Sequence, residues 1–324
     1  MGRLTELEDC INRFKIDVFC SHSVTRVLPM VLLCKVTGMP LVLELHGIFT
    51  TYVASRHALL QPRDKNHKII RLADATVVLS RVFETFWRNL GCNAHYIPNP
   101  LPLSDIEFKR DPMVNRKVIL WVGRIVEAKG IRAIVPIMRE VVRREPQAKL
   151  RVLGGMGDED LFNELLDRIR AEGFEDHIEF CGFHLDVRSF YESADVMLTT
   201  SPSEGFSFTI AESKLYSLPL VCYEMPYLEL LRDGRGFISV RQGDAIGAAA
   251  ALVEILNDDR LRVRLSKEAR ESVEPFLEYD FAGAWKMIFD EAFKGRRVVD
   301  KNFEVEQIER LLLHEIWHAP SDLR

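Results

Sequence analysis

Residues 195–212 read DVMLTTSPSEGFSFTIAE. A short apolar run comes first, a polar turn with a glycine follows, and the remainder has the spacing of a helix. In open α/β sheets, ligands bind beside the carboxyl ends of the strands. A loop at that end, followed by a helix, offers unpaired amides and the positive end of the helix dipole to an anion. The stretch therefore predicts an α/β fold with an anion site between this strand and this helix.

The same stretch carries two carboxylates, Glu204 in the loop and Glu212 inside the helix. An ionised carboxylate only accepts hydrogen bonds, so it would repel a phosphate and suit a hydroxyl group. The pattern favours a ligand with a phosphate in the middle and hydroxyl-bearing rings on both sides, which is the layout of a nucleotide-sugar. The structural alternative is a glutamate favoured by the helix dipole together with a solvated helix glutamate.

The chain after residue 112 alternates short apolar runs with helical patterns, which is typical of parallel sheets covered by helices. The predicted strands are Val118–Gly123, Leu150–Leu153, Ile178–Cys181, Val196–Thr199, Leu220–Tyr223 and Phe237–Val240. The predicted helices are Ile131–Arg144, Asp160–Glu172, Val187–Ser193, Thr209–Ser217, Tyr227–Leu231, Ala245–Asn257, Arg260–Val273 and Phe281–Phe293. Six strands with five intervening helices form a complete doubly wound domain of the nucleotide-binding kind.

The chain before that point predicts a shorter α/β domain. Its predicted strands are Ile16–Cys20, Pro40–Leu45, Ala75–Leu79 and His95–Pro98, and its predicted helices are Arg3–Phe14, Val27–Val36 and Val82–Leu90. The proline-rich segment from Pro98 to about Pro112 is predicted to link the domains. Because 324 residues exceed one ordinary core, we expect an N-terminal domain with its linker over residues 1–112, a second domain over 113–275, and a helix and tail over 276–324 that packs back toward the first domain.

Two further strand ends carry polar residues. Residues 121–130 read WVGRIVEAKG, where Gly123 and Gly130 allow tight backbone paths and Arg124 and Lys129 supply two cations suited to a diphosphate. His46 ends another apolar strand, where a histidine can face an active site. Each pattern alone also fits a solvated loop or a structural histidine.

Composition narrows the class of protein. The net charge of −5 lacks the strongly basic balance of nucleic-acid-binding proteins, so no nucleic-acid partner is expected. The six cysteines show no C-x-x-C spacing, which favours free thiols in a reducing cytoplasm over a metal site. The longest apolar run, Val27–Cys34, is too short to span a bilayer.

These segments and their order resemble the retaining GT-B glycosyltransferases of glycosyltransferase family 4, the glycosyl transferases group 1. The resemblance covers roughly residues 16–290, and its most specific part is the E-x7-E motif formed by Glu204 and Glu212. The supporting segments are VGR at 122–124 with KG at 129–130, IPN at 97–99, LHG at 45–47, YESAD at 191–195 and SLPLV at 217–221. The resemblance implies two Rossmann-like doubly wound domains that face a cleft.

The resemblance also implies roles for the residues that bind the donor diphosphate and sugar. Arg124 and Lys129, on the loop that begins at Gly123, would bind the diphosphate of the donor. Glu204 would contact the sugar hydroxyls, together with the amides of Phe206 and Ser207. The amides of Phe208 and Thr209 would bind phosphate oxygens at the start of the helix.

The remaining implied roles concern the ribose, the base and the reacting carbon. Glu212 would accept hydrogen bonds from the ribose hydroxyls, and His46 would approach the transferred sugar near its reacting carbon as a second catalytic residue beside Glu204. The base would lie near residues 154–157 and 182–184.

No metal and no cofactor beyond the nucleotide-sugar substrate are expected, because the two cations and the helix dipole can neutralise the leaving group. The sequence DED at 158–160 resembles a metal-binding motif, but an amphipathic helix begins there, so helix-capping carboxylates are the preferred interpretation. Retention by same-face attack, assisted by the leaving phosphate, is what the resemblance implies.

The chain departs from the family pattern at its start, where the first strands of the N-terminal domain are expected and a helical pattern stands instead. An incomplete sheet would expose an edge, so we expect self-association, pairing with a partner subunit, or poor solubility.

The expected function is transfer of a sugar from a nucleotide-sugar to an unidentified sugar or lipid-linked acceptor in glycan, polysaccharide or glycolipid synthesis. The alternative is a catalytically silent nucleotide-sugar-binding subunit that needs a partner chain. Another GT-B enzyme, such as an epimerase or a phosphorylase, fits the E-x7-E motif less well. The expected location is the cytoplasm, with peripheral membrane contact through the basic residues at 139–144 or 294–297 as an option.

Overall fold

The computed structural model divides the chain into two compact units. The first comprises Met1–Pro98 and Asp280–Arg324, and the second comprises Asn99–Tyr279. The residues whose structure is described are 13, 15–22, 30–31, 34–35, 37–46, 70–101 and 111–294. The predicted helix Arg3–Phe14 lies outside these residues except for Arg13. Also outside them are parts of the predicted helix Val27–Val36 and of the linker, together with Gly47 and residues 295–297 of the basic segment.

Within the described residues, the first unit contains a four-stranded parallel sheet. Its strands are β1 (Phe19–Ser21), β2 (Leu41–Leu45), β3 (Ala75–Val78) and β4 (Ala94–Tyr96), and they lie in chain order. Helix α1 (Arg81–Asn89) begins at Ser80, whose hydroxyl accepts a hydrogen bond from the Phe83 amide, and Gly91 follows its end in the left-handed conformation. A C-terminal helix, Phe281–Lys294, packs against β2 and β3.

The second unit contains a six-stranded sheet in which every pairing is parallel. Its strands are β5 (Val118–Val122), β6 (Lys149–Leu153), β7 (Ile178–Gly182), β8 (Val196–Thr199), β9 (Leu220–Tyr223) and β10 (Phe237–Val240). They are ordered β10-β9-β8-β5-β6-β7. This is the strand order of nucleotide-binding doubly wound domains, in which the direction of winding reverses between the first and fourth strands, here β5 and β8.

Helices cover the second sheet. They are α2 (Ile134–Arg144), α3 (Glu159–Glu172), α4 (Arg188–Ser193), α5 (Phe208–Leu215), α6 (Ala245–Asn257) and α7 (Asp259–Leu277), and the helix Phe281–Lys294 of the first unit is α8. The apolar faces of α2, α3 and α6 form one core with β5, β6 and β8, in which the indole of Trp121 is 2% exposed. Burial of both faces explains why the strands read as continuous apolar runs.

The expected α/β class with parallel sheets is confirmed. All ten predicted strands exist, although β1 begins three residues later than predicted and β4 ends before Pro98. The predicted helix Tyr227–Leu231 is wrong, because only the 3₁₀ turn Glu229–Leu231 forms there. Pro226 precedes this segment, and the left-handed glycines Gly234 and Gly236 follow it, which leaves no room for a regular helix.

Candidate donor-binding site

Two loops of the second unit leave the sheet where its winding reverses. The first loop follows β5 and includes residues 123–130, and the second follows β8 and includes residues 200–207. The two strands are paired, with Ile119 opposite Val196. At such a reversal the loops diverge to opposite faces of the sheet and leave a crevice for ligand. The two main sequence motifs therefore meet at one edge of one sheet.

Thr200 joins the two loops. The Trp121 indole donates a hydrogen bond of 2.9 Å to Thr200 Oγ1, and the Thr200 hydroxyl donates one of 3.0 Å to the Lys129 carbonyl. Gly130 follows with a φ of 63°, and a Cβ added there would lie 2.0 Å from the Thr200 carbonyl oxygen. Only glycine permits this approach, so the backbone of Lys129 is held against the second loop.

Lys129 and Glu204 form an ion pair across the two loops. Lys129 Nζ lies 2.7 Å from Glu204 Oε1, and the side chains are 30% and 10% exposed. The backbone of Glu204 also hydrogen-bonds to the Tyr227 hydroxyl, whose pKa is raised by burial. The side chain of Arg124, at the start of the first loop, is exposed and makes no hydrogen bond or ion pair with the part of the chain that the structure describes. Its guanidinium is available to a ligand.

Helix α5 begins directly after the second loop. Its first flanking residue, Ser207, has a φ of 67°, and no side chain among the described residues caps the helix. Phe206 anchors the turn, because its buried ring contacts Phe208 with ring centroids 5.5 Å apart and Phe276 at 6.1 Å. The uncapped amides that begin at Phe208 and Thr209 can therefore bind an anion. Left-handed backbone at a residue other than glycine is costly and is concentrated at functional sites.

Glu212 lies one turn further along α5. Its Oε2 accepts a 2.6 Å hydrogen bond from the Tyr191 hydroxyl. Burial raises the pKa of the Glu212 carboxyl, and the hydrogen bond from Tyr191 opposes that shift. The Tyr191 ring stacks on Tyr216 with centroids 4.9 Å apart. A stacked, buried phenol thus fixes one oxygen of Glu212 and leaves the other for a ligand.

Lys214 fixes the far end of α5. Its side chain is fully buried, and its ammonium donates to Ser272 Oγ of α7 at 2.8 Å and to the Arg235 carbonyl at 3.1 Å. Asp233 Oδ1 lies 3.8 Å away. Burial lowers the pKa of Lys214 to about 8. The helix that carries Glu212 is therefore tied to α7 by a desolvated cation.

The loops after β6 and β7 lie at the same edge of the sheet. A Cβ on Gly154 would lie 1.9 Å from the Gly123 carbonyl oxygen, and the Gly154 amide donates to the Gly182 carbonyl at 2.9 Å. Phe183 and Met156 are 72% and 58% exposed beside them. The residues predicted to face the base are thus adjacent to the first loop, and their role stays a prediction.

Asp158 and His46 are the remaining residues singled out in the sequence. Asp158 caps α3 by accepting a 3.0 Å hydrogen bond from the Leu161 amide, as the preferred interpretation of residues 158–160 requires. His46 follows β2 in the first unit and is the one predicted site residue outside the second unit. Its Nε2 lies 2.9 Å from Glu44 Oε2.

Sequence reasoning missed Thr200, Tyr227 and Lys214, and it gave no role to Tyr191. Tyr191 stood within a quoted motif, and Thr200 was a hydroxyl at a strand end, so each offered a weak signal. Tyr227 was assigned to a helix that does not form. A lysine within the apolar part of a short helix was the signal for Lys214, because a buried lysine needs specific partners.

Known glycosyltransferases are similar to the chain in sequence. The chain is 28% identical over 245 residues to the lipopolysaccharide core biosynthesis glycosyltransferase LpsE of Rhizobium meliloti, which covers 68% of each protein. It is 25% identical over 202 residues to the UDP-N-acetylglucosamine–peptide N-acetylglucosaminyltransferase GtfA subunit of Streptococcus pneumoniae, and there it spans 59% of this chain and 39% of the relative. The chain thus spans about two thirds of one relative and well under half of the other.

A solved structure is similar over most of the chain. Alr3699/HepE of Anabaena in complex with UDP superposes with a TM-score of 0.73 and 17% identity, covering 90% of this chain and 82% of that one. At that identity the likeness establishes the GT-B fold alone. No helix within the described ranges combines the length and apolar character needed to cross a membrane. The family described as glycosyl transferases group 1 matches residues 104–272, more than half of the sequence, so the chain belongs to that family.

Proposed function

We propose that the protein transfers a sugar, with retention, from a nucleotide-diphosphate-sugar to a hydroxyl of a glycan, polysaccharide or glycolipid acceptor. The observation that carries the proposal is the contact of Lys129 with Glu204 beside the uncapped start of α5. It brings together a cation, a carboxylate that can accept hydrogen bonds from sugar hydroxyls, and helix amides that can bind an anion. Family membership and the name of the lipopolysaccharide core relative support this class of reaction.

The donor would be bound by groups of opposite character. An ammonium has three donors, so Lys129 can keep one hydrogen bond to Glu204 and direct others to the diphosphate. Arg124 and the amides of Phe208 and Thr209 would neutralise the remaining phosphate oxygens. Glu204, with the amides of Phe206 and Ser207, would bind sugar hydroxyls, and Glu212 would bind the ribose. In this proposal, His46 of the first unit approaches the reacting carbon.

The reaction would proceed on one face of the sugar. The acceptor oxygen bonds to the anomeric carbon as the bond from that carbon to the diphosphate oxygen breaks, and the acceptor proton passes to the departing phosphate. Negative charge develops on the diphosphate, so preorganised cations and amides there lower the barrier, each by about 3–4 kcal/mol. No metal is required in this scheme. The proposal assigns the reaction to the cytoplasm, at the membrane surface where the acceptor is lipid-linked.

A thermal-shift panel of nucleotide-sugars tests the donor site. A ligand at about 100 times its dissociation constant stabilises the folded state by about 2.7 kcal/mol. We expect at least one nucleotide-sugar to raise Tm, and R124A to abolish the rise without changing the Tm of the protein alone. Transfer to lipid and oligosaccharide acceptors, with the anomeric configuration of the product read by NMR, tests the chemistry. An inverted product would contradict retention, and no Tm shift with any donor would contradict the whole proposal.

A catalytically silent donor-binding subunit is the second candidate, favoured by the relative that is named as a subunit. It predicts donor binding without transfer until a partner chain is added. Copurification of the chain from its native source, followed by transfer assays with and without the associated proteins, distinguishes the two functions.

A further inference from the structure

Metal-binding side chains gather at the carboxyl ends of β1 and β2, within the first unit. Residues alternate between faces along a strand, so Cys20 and His22 share a face, as do Glu44 and His46. Cys20 lies opposite Val42 in the parallel register, which aligns the two pairs on the same face of the sheet. The topology therefore brings a thiol, two imidazoles and a carboxylate together.

The two imidazoles converge on a single carboxylate oxygen. His22 Nδ1 lies 2.8 Å and His46 Nε2 lies 2.9 Å from Glu44 Oε2. The ligand atoms of these three residues all lie within 4.8 Å of one another. The two rings are 5.6 Å apart and tilted by 41°, so each ring presents a nitrogen to the same point without stacking on the other.

Cys20 holds the other oxygen of the carboxylate. Its Sγ donates to Glu44 Oε1 at 3.3 Å. Cys20 therefore orients Glu44 from behind, in the way that outer groups orient metal ligands.

We propose that His22, Glu44 and His46 bind Zn²⁺ or a similar divalent transition metal, with a fourth position open to solvent. Two imidazoles with one carboxylate form a donor set that zinc uses in sites with an open position. Tetrahedral bonds of about 2.1 Å separate ligand atoms by about 3.4 Å, so each histidine nitrogen needs to move only about half an ångström away from Glu44 Oε2. His22 and His46 are 69% and 40% exposed, which leaves room for this movement and a path for the ion.

The site would use the same nitrogen of His46 that now contacts Glu44. A bound metal would fix the His46 ring through Nε2 and leave only Nδ1 for any other contact. All three ligands belong to the first unit, and binding can be measured without donor or acceptor. The inference therefore stands or falls independently of the proposed function.

Metal titration of the full chain tests the site. After removal of metals, Zn²⁺ binding is measured by competition with a chromophoric chelator, and Co²⁺ is then bound so that its visible absorption reports the geometry. We expect H22Q, E44Q and H46Q each to lower the affinity for one Zn²⁺ ion per chain by at least about tenfold. H184Q, which alters an exposed histidine of the second unit, should leave that affinity unchanged. Circular dichroism and Tm verify that each variant folds, and the exposure of His22 makes H22Q the safest of the three.

Three results would overturn the inference. The first is equal Zn²⁺ affinity and stoichiometry in the wild type, H22Q and H46Q. The second is an absence of binding tighter than about 1 mM. The third is a sulfur-to-cobalt charge-transfer band that C20S removes, because it would make Cys20 a ligand. The intense absorption of tetrahedral Co²⁺, lost in H46Q and retained in C20S, would support the assigned ligands.

Discussion

The phenol of Tyr191 donates a 2.6 Å hydrogen bond to Glu212 Oε2, across 21 residues of sequence. Y191F removes this bond and keeps the ring that stacks on Tyr216. Hydrogen bonds to charged groups contribute about 1.5–3 kcal/mol, and 1.4 kcal/mol corresponds to a factor of ten. We expect the donor Kd of Y191F, measured by calorimetry, to rise about tenfold. Y216F retains its ring and leaves the bond from the Tyr191 hydroxyl to Glu212 Oε2 in place, so an equal loss in that variant would contradict the prediction.

E212Q should raise the stability of the fold at neutral pH while weakening donor binding. Burial raises the pKa of Glu212, so the folded state binds its proton more tightly than the unfolded state does. The stabilising contribution of this group is therefore complete at low pH and is lost as pH rises through the raised pKa. We expect E212Q to be more stable than the wild type at neutral pH, to lose that advantage toward about pH 4, and to bind donor more weakly. Urea unfolding at both pH values measures this.

The control for E212Q is E179Q, which alters a glutamate that is 65% exposed on β7. Its stability should follow that of the wild type at both pH values. A lower stability of E212Q than of the wild type at neutral pH would show that the charge of Glu212 is stabilised in the fold, contrary to the expected sign.

K129A and E204A should each reduce transfer by at least about 100-fold, because each removes a group from the ion pair beside α5. The Tm of K129A should fall little, since partly exposed ion pairs contribute about 1 kcal/mol or less. K149A, which removes an exposed lysine at the start of β6, is the matched control and should transfer normally. Near-full activity in K129A or E204A would remove these residues from the donor site.

Substitution of Gly130 and Gly173 tests whether donor binding requires the close contact between the loop at 123–130 and the loop at 200–207. Both glycines are left-handed, with φ of 63° and 72°. A Cβ on Gly130 would overlap the Thr200 carbonyl, whereas a Cβ on Gly173 would meet no atom within 4 Å. We expect G173A to cost about 1 kcal/mol of unfolding free energy and to spare donor binding. G130A should cost more and abolish the donor-induced rise in Tm, and equal effects of the two substitutions would contradict this.

Local sequence predicted the second unit well, because its strands are buried on both faces and read as apolar runs between clear helix signals. The segment around Glu204 was informative for the same reason, since a strand, a turn and a helix start follow one another within 18 residues. The contact of Lys129 with Glu204 could not be predicted from spacing. It depends on β5 pairing with β8, and that pairing is set by the whole strand order.

The errors also have local causes. The spacing of residues 227–231 suits a helix, but Pro226 and the two left-handed glycines that follow confine the segment to a single tight turn. Ser272, which binds Lys214, and His22, which contacts Glu44, lie on other parts of the fold, 58 and 22 residues away in the sequence. Propensity and periodicity describe one element at a time, so such contacts stay hidden until elements are assembled.

The burial of Lys214 has a consequence for engineering this protein. An ammonium without water accepts few alternative surroundings, so a one-residue slip or a rotation of α5 would set its charge against apolar side chains. The buried Lys214 at the C-terminal end of α5 thus fixes the orientation of the amides at its N-terminal end. Grafting residues 200–212 alone onto another scaffold would transfer the binding groups without their alignment. The smallest transferable unit extends through Arg235 and includes the part of α7 that carries Ser272.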